Sequence, residues 1–382
     1  MQAVLFAWLV TIVLKEPAQY VGWAQTAVLF PGMIFILIAG VLADRVGPDR
    51  QSLFAQLFAA TVPWLLIVAL QMDLLSYPLM IVYALLMGTA QAFVTPARDG
   101  LLNHVAGDQV QRTVLLASLC QFSFQILGYA IAGFAENVGA EIILVFQSLG
   151  LLAGAAAFWM IRRRSPVPPE SGAKSSVLNR MRTGAATVWA SPEMRVVVIQ
   201  NVAMACFFMS SFVVCFPLVV RDVFAGSSQD LAVLSALNSL GLVATILIML
   251  KLGYVSRPGR ALIVFQALGS LALAASALAG AFVWFCVAIF VWGLCGGIAI
   301  PMSRTLMQQL APADQRARVM SFYALSFMGA GPIGTVLAGY LSAAYGPQGA
   351  ILINAALMLL VVVLVTAFTQ IWSATIANEQ PV

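Results

Sequence analysis

Charge is what this 382-residue chain has least of: 9% of its residues are charged and 62% are hydrophobic, for a mean hydropathy of +0.97. Soluble domains carry about a quarter charged residues. A chain this apolar cannot hide its surface in a water-soluble core, so an integral, all-α membrane protein is expected. The only histidine, His104, leaves a metal site or a Ser/His/Asp arrangement without partners. The five cysteines (Cys120, Cys206, Cys215, Cys286, Cys295) lie in apolar runs with no C-x-x-C pair, and read as packing residues. No G-x-x-x-x-G-K-[ST] loop is present, which excludes direct drive by ATP. A membrane-embedded enzyme would need paired His or Asp within the apolar runs, and there is none. No catalytic residue, metal or cofactor is therefore expected. Nor is nucleic acid, which needs basic and aromatic clusters on a soluble domain.

What the chain has is long apolar runs. Twelve are candidate membrane helices: 1–14, 20–42, 52–72, 78–97, 113–136, 140–161, 195–219, 230–252, 260–278, 281–303, 319–343 and 348–370. Run 1 would span roughly 21 Å as a helix, short of a hydrocarbon core of about 30 Å. It lacks the basic flank of a secretory signal. The expectation is that helix 1 is truncated, Met1 not being the natural start.

Seventeen of the 19 basic residues fall on one side of this topology, and only Lys15 and Arg221 on the other. By the positive-inside rule both termini are cytoplasmic and the +5 charge is an orientation signal. The polar segment 162–194, with RRRSPVPPE and SGAKSS, reads as a cytoplasmic linker carrying a short amphipathic helix near Val177 to Trp189. It separates a half of six helices, 1–161, from a second, 195–370, ahead of a cytoplasmic tail, 371–382. The halves repeat: Pro48/Pro258, Arg50/Arg260 and Gln56/Gln266 are each 210 apart, and GYAIAGF (Gly128–Phe134) matches GTVLAGY (Gly334–Tyr340).

Between runs 2 and 3 stands GVLADRVGPDRQSL (Gly40–Leu53), a short charged hinge. Its G-x-L-A-D-R-x-G pattern resembles the signature loop between helices 2 and 3 of the major facilitator superfamily of transporters. After Gly47 it departs, with Pro48 and Asp49 where the family usually has two basic residues. The resemblance implies twelve helices in two parallel six-helix repeats, with a substrate site between them. It also implies that Gly40, Asp44, Arg45 and Gly47 form a cytoplasmic latch, in which Asp44 meets the start of helix 11 and the arginines of the 4–5 loop. A solvated turn that only marks topology would use the same residues.

Two related stretches, TPARDGLLNHVAGDQVQR (Thr95–Arg112) and IPMSRTLMQQLAPADQRARVMS (Ile300–Ser321), each place Pro and then Arg at the end of a run. The first resembles the branch of macrolide-type drug exporters and a catecholate-siderophore exporter. Arg98, Arg112 and Arg304 are gate candidates, with positive-inside anchoring as the plainer alternative. In GAGPIGTVLAG (Gly329–Gly339), Gly331, Pro332 and Gly334 suit close packing and bending. The matching helix 5 run keeps Gly128 but has Tyr129 where Gly-Pro is usual for antiporters.

All 14 acids lie at or outside the ends of the runs, where membrane proton relays are not usually built. Proton coupling would have to use Asp44, a rim acid such as Glu136 or Asp222, or missing sequence. The helices that line the cavity in the family carry Gln25, Gln91, Gln121, Gln125, Asn201 and Asn238, with Gln121, Gln125 and Tyr129 on one stripe. Together with Trp8, Trp23 and Phe207 they suggest a hydrophobic cavity with a few amide groups; amides that merely bridge helices are the alternative. The expectation is a monomeric secondary transporter of the inner or plasma membrane, exporting a hydrophobic or amphiphilic small molecule by alternating access, with protons as the candidate coupling ion. An importer, or a non-transporting sensor or scaffold on this fold, is the rival.

Overall fold

The computed structural model describes residues 1–106, 110–164, 177–252, 257–312, 315–369 and 372. Among them the regular structure is helical, as it must be where lipid offers the backbone no hydrogen-bond partners. Twelve long helices follow the apolar runs. The first six are α1 (Gln2–Val13), α2 (Ala18–Val46), α3 (Pro48–Gln71), α4 (Tyr77–Ala106), α5 (Val110–Gly133) and α6 (Ala140–Arg164). After a linker helix (Val177–Ala190) come α7 (Pro192–Asp222), α8 (Ser228–Leu252), α9 (Pro258–Ala277) and α10 (Phe282–Leu310). The last long helix, Arg316–Phe368, is broken at Gly346 (φ 75°) into α11 (316–345) and α12 (347–368). Eight of the described helices are long and apolar enough to cross a membrane, α11 and α12 together counted once.

The linker helix and the α2–α3, α4–α5, α8–α9 and α10–α11 connections define one face, hereafter the linker face. The remaining turns define the far face. In the first half α3 packs on α4 and α6, and α2 on α4; in the second, α10 packs on α8 and α9.

Several boundaries differ from the sequence expectation, for identifiable reasons. The hinge between α2 and α3 is a single residue, because nothing from Gly40 to Val46 breaks a helix. Gly47 stops it with φ 96°, a conformation other residues rarely adopt, and Pro48 starts α3 at its first turn. Pro96 and Pro301 do not end their helices: α4 continues to Ala106 and α10 to Leu310. Among the described residues two helices carry π-helical stretches that periodicity does not signal, α1 at Leu9–Val13 and α7 at Met204–Met209 and Ser211–Cys215. They open each of the two half-leading helices, and such turns are frequent at functional sites.

The halves meet along two seams, α2 against α11 and α5 against α8. Both seams lie towards the far face. A Cβ on Gly22 would come within 2.6 Å of the Thr335 carbonyl oxygen and 3.0 Å of the Gly339 Cα, so only glycine lets α2 and α11 approach this closely. Below that point Thr26 and Thr335 share a hydrogen bond, Oγ1 to Oγ1, of 2.8 Å. Towards the linker face the packing is sparser: among the described residues α4–α10, α5–α10 and α5–α11 are not among the extensively packed helix pairs.

Candidate substrate pathway and gates

A small pocket of about 40 Å³ lies where α1, α2, α7 and α8 converge, beneath the far-face seams. Ala3, Val4 and Ala7 of α1, Phe212, Phe216 and Pro217 of α7, and Leu231 and Leu234 of α8 make its wall apolar. Gln25 of α2 and Ser235 of α8 supply polarity.

Along α5, Gly133, Tyr129, Gln125 and Gln121 follow one another at intervals of about one turn. Gly133 packs on Ala232 of α8, a Cβ there coming within 2.8 Å of the alanine Cβ. One turn down, Tyr129 is buried, and its hydroxyl takes a hydrogen bond from Gln125 Nε2. Another turn down, Gln121 is exposed and accepts from Arg98 Nη1 of α4 at 3.4 Å. Two polar contacts thus lie along α5, Gln125 with Tyr129 and, nearer the linker face, Gln121 with Arg98.

The remaining predicted residues are differently placed. Asn201 is buried with its side-chain Nδ2 donating to the Tyr323 carbonyl and to Ser326 Oγ of α11, both at 2.9 Å, so its amide joins two helices. Gln91 is exposed and bonded to Thr95 in its own helix. Asn238 is buried, its backbone against Gly293 of α10. Among the aromatic residues, Trp8 is buried with its Nε1 donating to Glu136, while Trp23 is 47% exposed, and neither it nor Phe207 lines the cavity.

Among the gate residues, Arg45 and Arg304 are exposed, Gly40 has open space beside its Cα, and Gly47 makes the hinge. The side chains of Asp44 and Arg112 lie outside the described residues, as does that of His104. The linker helix spans both halves on this face, touching α2 and docking on the start of α11, where Gly184 sits against the Arg318 carbonyl. In α11, Gly331 abuts Leu29, the Pro332 carbonyl accepts from whichever of the Thr26 and Thr335 hydroxyls is not donating to the other, and Gly334 lies against the backbone of Cys206 in α7. Gly128 admits the start of α1 beside α5, a Cβ there falling 2.8 Å from the Met1 nitrogen.

Sequence reasoning passed over the far face. It gave Glu136 only as a rim acid and Arg221 only as a stray basic residue. In the structure Glu136 Oε1 accepts from Trp8 Nε1 and from the backbone N–H of Ser228, both at 2.9 Å. Arg221 Nη1 donates to the carbonyls of Glu16 at 2.6 Å and Thr11 at 3.3 Å. A signal was present: a basic residue isolated on an otherwise base-poor face has to be satisfied by something other than topology.

Comparison with known proteins agrees with this architecture. Over 363 residues the chain is 25% identical to the multidrug efflux pump Tap of Mycolicibacterium fortuitum, an alignment spanning 91% of this chain and 87% of that one. Its fold superimposes on the nucleoside transporter NupG with a TM-score of 0.67, and on a point mutant of NupG with 0.71. Both are 14% identical, with 96% of this chain covered and 95% and 96% of theirs. The sequence profile of the Major Facilitator Superfamily matches residues 1–331 and, again, 202–372. A profile that matches across the chain, on a fold of paired six-helix halves, identifies the protein as an integral membrane member of the Major Facilitator Superfamily.

Proposed function

We propose that this protein is a secondary active exporter of hydrophobic or amphiphilic small molecules, working by alternating access. One observation carries the reading: the halves are seamed towards the far face and less closely packed towards the linker face, beside an apolar pocket with few hydrogen-bonding groups. A molecule arriving from the linker face meets Arg98 and Gln121, then Gln125 and Tyr129, and then the apolar pocket beside Gln25. Rocking of one half on the other would open the far side and close the linker side around the same pocket.

In this reading the basic residues put the linker face and both termini in the cytoplasm and the seamed far face outside, with the protein in the plasma (inner) membrane. Loading from the cytoplasm and release outside is export, and the relative named as a multidrug efflux pump supports it. In this reading Gly40, Asp44, Arg45, Gly47, Arg98, Arg112 and Arg304 close the linker face in the alternate state. Protons drive the cycle through rim carboxylates, and a monomer suffices because the cavity lies between halves of one chain.

The test is accumulation of a panel of amphiphilic compounds in inside-out vesicles, with and without an imposed pH gradient. Gradient-dependent accumulation that Asp44→Asn abolishes is the expected result. Uptake only into right-side-out vesicles would replace export by import. NupG, a nucleoside transporter by name, makes nucleosides the first compounds to try in that orientation.

A further inference from the structure

The far face carries two charged contacts of one kind, each a helix end of one half capped by a side chain from the other. Helix α1 ends in a π-helical turn followed by Lys15 in the left-handed region (φ 53°), which turns the Thr11 and Glu16 carbonyls outward. Arg221, at the end of α7 in the second half, fills that position with Nη1. Its Nε and Nη2 are held by the neighbouring Asp222 carboxylate at 2.5 and 3.0 Å, which aims the guanidinium at α1. The partial negative charge of a helix C-terminus favours that cation.

The second contact is the reverse. Helix α8 starts at Ser228, whose backbone N–H is one of the donors a helix N-terminus leaves without an internal partner. Glu136 of the first half accepts it, and the same oxygen accepts from Trp8 of α1. Ser228 is fully buried and adds a hydrogen bond from its Oγ to the Gly133 carbonyl at 2.9 Å. Asp230 accepts from Ser227 N and Oγ at 2.7 and 2.9 Å, within its own loop. That leaves Glu136 as the carboxylate that crosses between halves here, among the described residues.

We infer that Arg221 and Glu136 are a two-point latch that holds the far face closed, and that both contacts break when the far side opens. The α2–α11 seam is made of small residues and two threonines, which can slide. The two caps instead tie α1 to α7 and the turn after α5 to α8, and α1, α7 and α8 also bound the pocket. Removing one cap leaves a helix end unpartnered in the closed state while costing the open state nothing, since there water reaches it. The equilibrium then moves towards opening at the far face.

This inference rests on the alternating-access reading, and its test needs no substrate. In a full-length protein with its cysteines replaced, Ser235→Cys places a thiol in the cavity below the latch. Labelling by a membrane-impermeant maleimide is followed from each face in vesicles of opposite orientation. Glu136→Ala and Arg221→Ala are expected to raise the far-face rate about tenfold, since charge-assisted bonds are the strong ones, and to lower the linker-face rate. Glu136→Gln, which keeps an oxygen acceptor, and Arg221→Lys, which keeps the charge, fall between and carry the test should an alanine variant fail to accumulate. Unchanged far-face rates, or rates that rise on both faces together as in a loosened fold, overturn the latch. A protein that transports no compound tried still reports it, so failure of the transport reading and failure of the latch are told apart.

Discussion

Thr26 of α2 and Thr335 of α11 meet hydroxyl to hydroxyl at 2.8 Å across the two halves, with the Pro332 carbonyl 3.3 and 3.0 Å away as the acceptor for whichever hydroxyl is not donating to the other. One turn nearer the far face Gly22 touches the backbone of α11. Gly22→Leu therefore cannot adopt this state without moving a helix, since overpacking costs about 1–3 kcal/mol where a site cannot yield. Transport is expected to fall at least tenfold, with the far face labelled faster in the maleimide assay. Near-normal transport by this variant would mean that the seam has room the structure does not show.

Gln51 of α3 donates to the carbonyls of Ala39 in α2 and Phe93 in α4, both at 2.9 Å. Gln51→Leu loses both bonds. Bonds of this kind inside membranes contribute on average about 0.6 kcal/mol each, so the expected loss is about 1 kcal/mol, measured by unfolding in detergent. Transport per folded molecule is expected to stay within twofold.

Gly47 has φ 96° and ψ 133°, and its N–H donates to the Ala43 carbonyl at 3.0 Å. Gly47→Ala places a side chain in a backbone conformation that costs about 1–3 kcal/mol. Thermal stability is expected to drop by that amount, and a variant as stable as the parent would contradict the one-residue hinge.

Gln125 and Asn201 make opposite predictions although both are amides in apolar helices. Gln125→Leu removes the polar contact with Tyr129 on α5, and a lost hydrogen bond of about 0.5–1.5 kcal/mol raises the half-saturating concentration about two- to tenfold. Asn201→Leu breaks the α7–α11 bridge and lowers stability, leaving that concentration unchanged. Flux titrations on both variants distinguish the two roles.

This contrast marks how far the sequence could be read. Twelve helices, the linker helix and the α5 stripe follow from run length, charge placement and i, i+4 spacing, because membrane helices announce themselves locally. Which face of a helix meets another helix does not: in lipid both faces are apolar, so Gln125 and Asn201 look alike until packing distinguishes them. Pro96 and Pro301 fail as helix stops for a related reason, since neighbouring helices support a backbone that has lost one hydrogen bond. The latch at Arg221 and Glu136 was least legible. Its partners are backbone groups at helix ends 92 to 210 residues away, and backbone carries no sequence signal.

The account turns on this structure being one of two states, open at the linker face. The direct measurement is the distance between spin labels at Arg50→Cys and Arg318→Cys, exposed linker-face positions in α3 and α11 of opposite halves. Two populations are expected, the shorter one growing when a transported compound and a pH gradient are applied. A single long distance under every condition, in protein that is moving substrate, would contradict alternating access by these two halves.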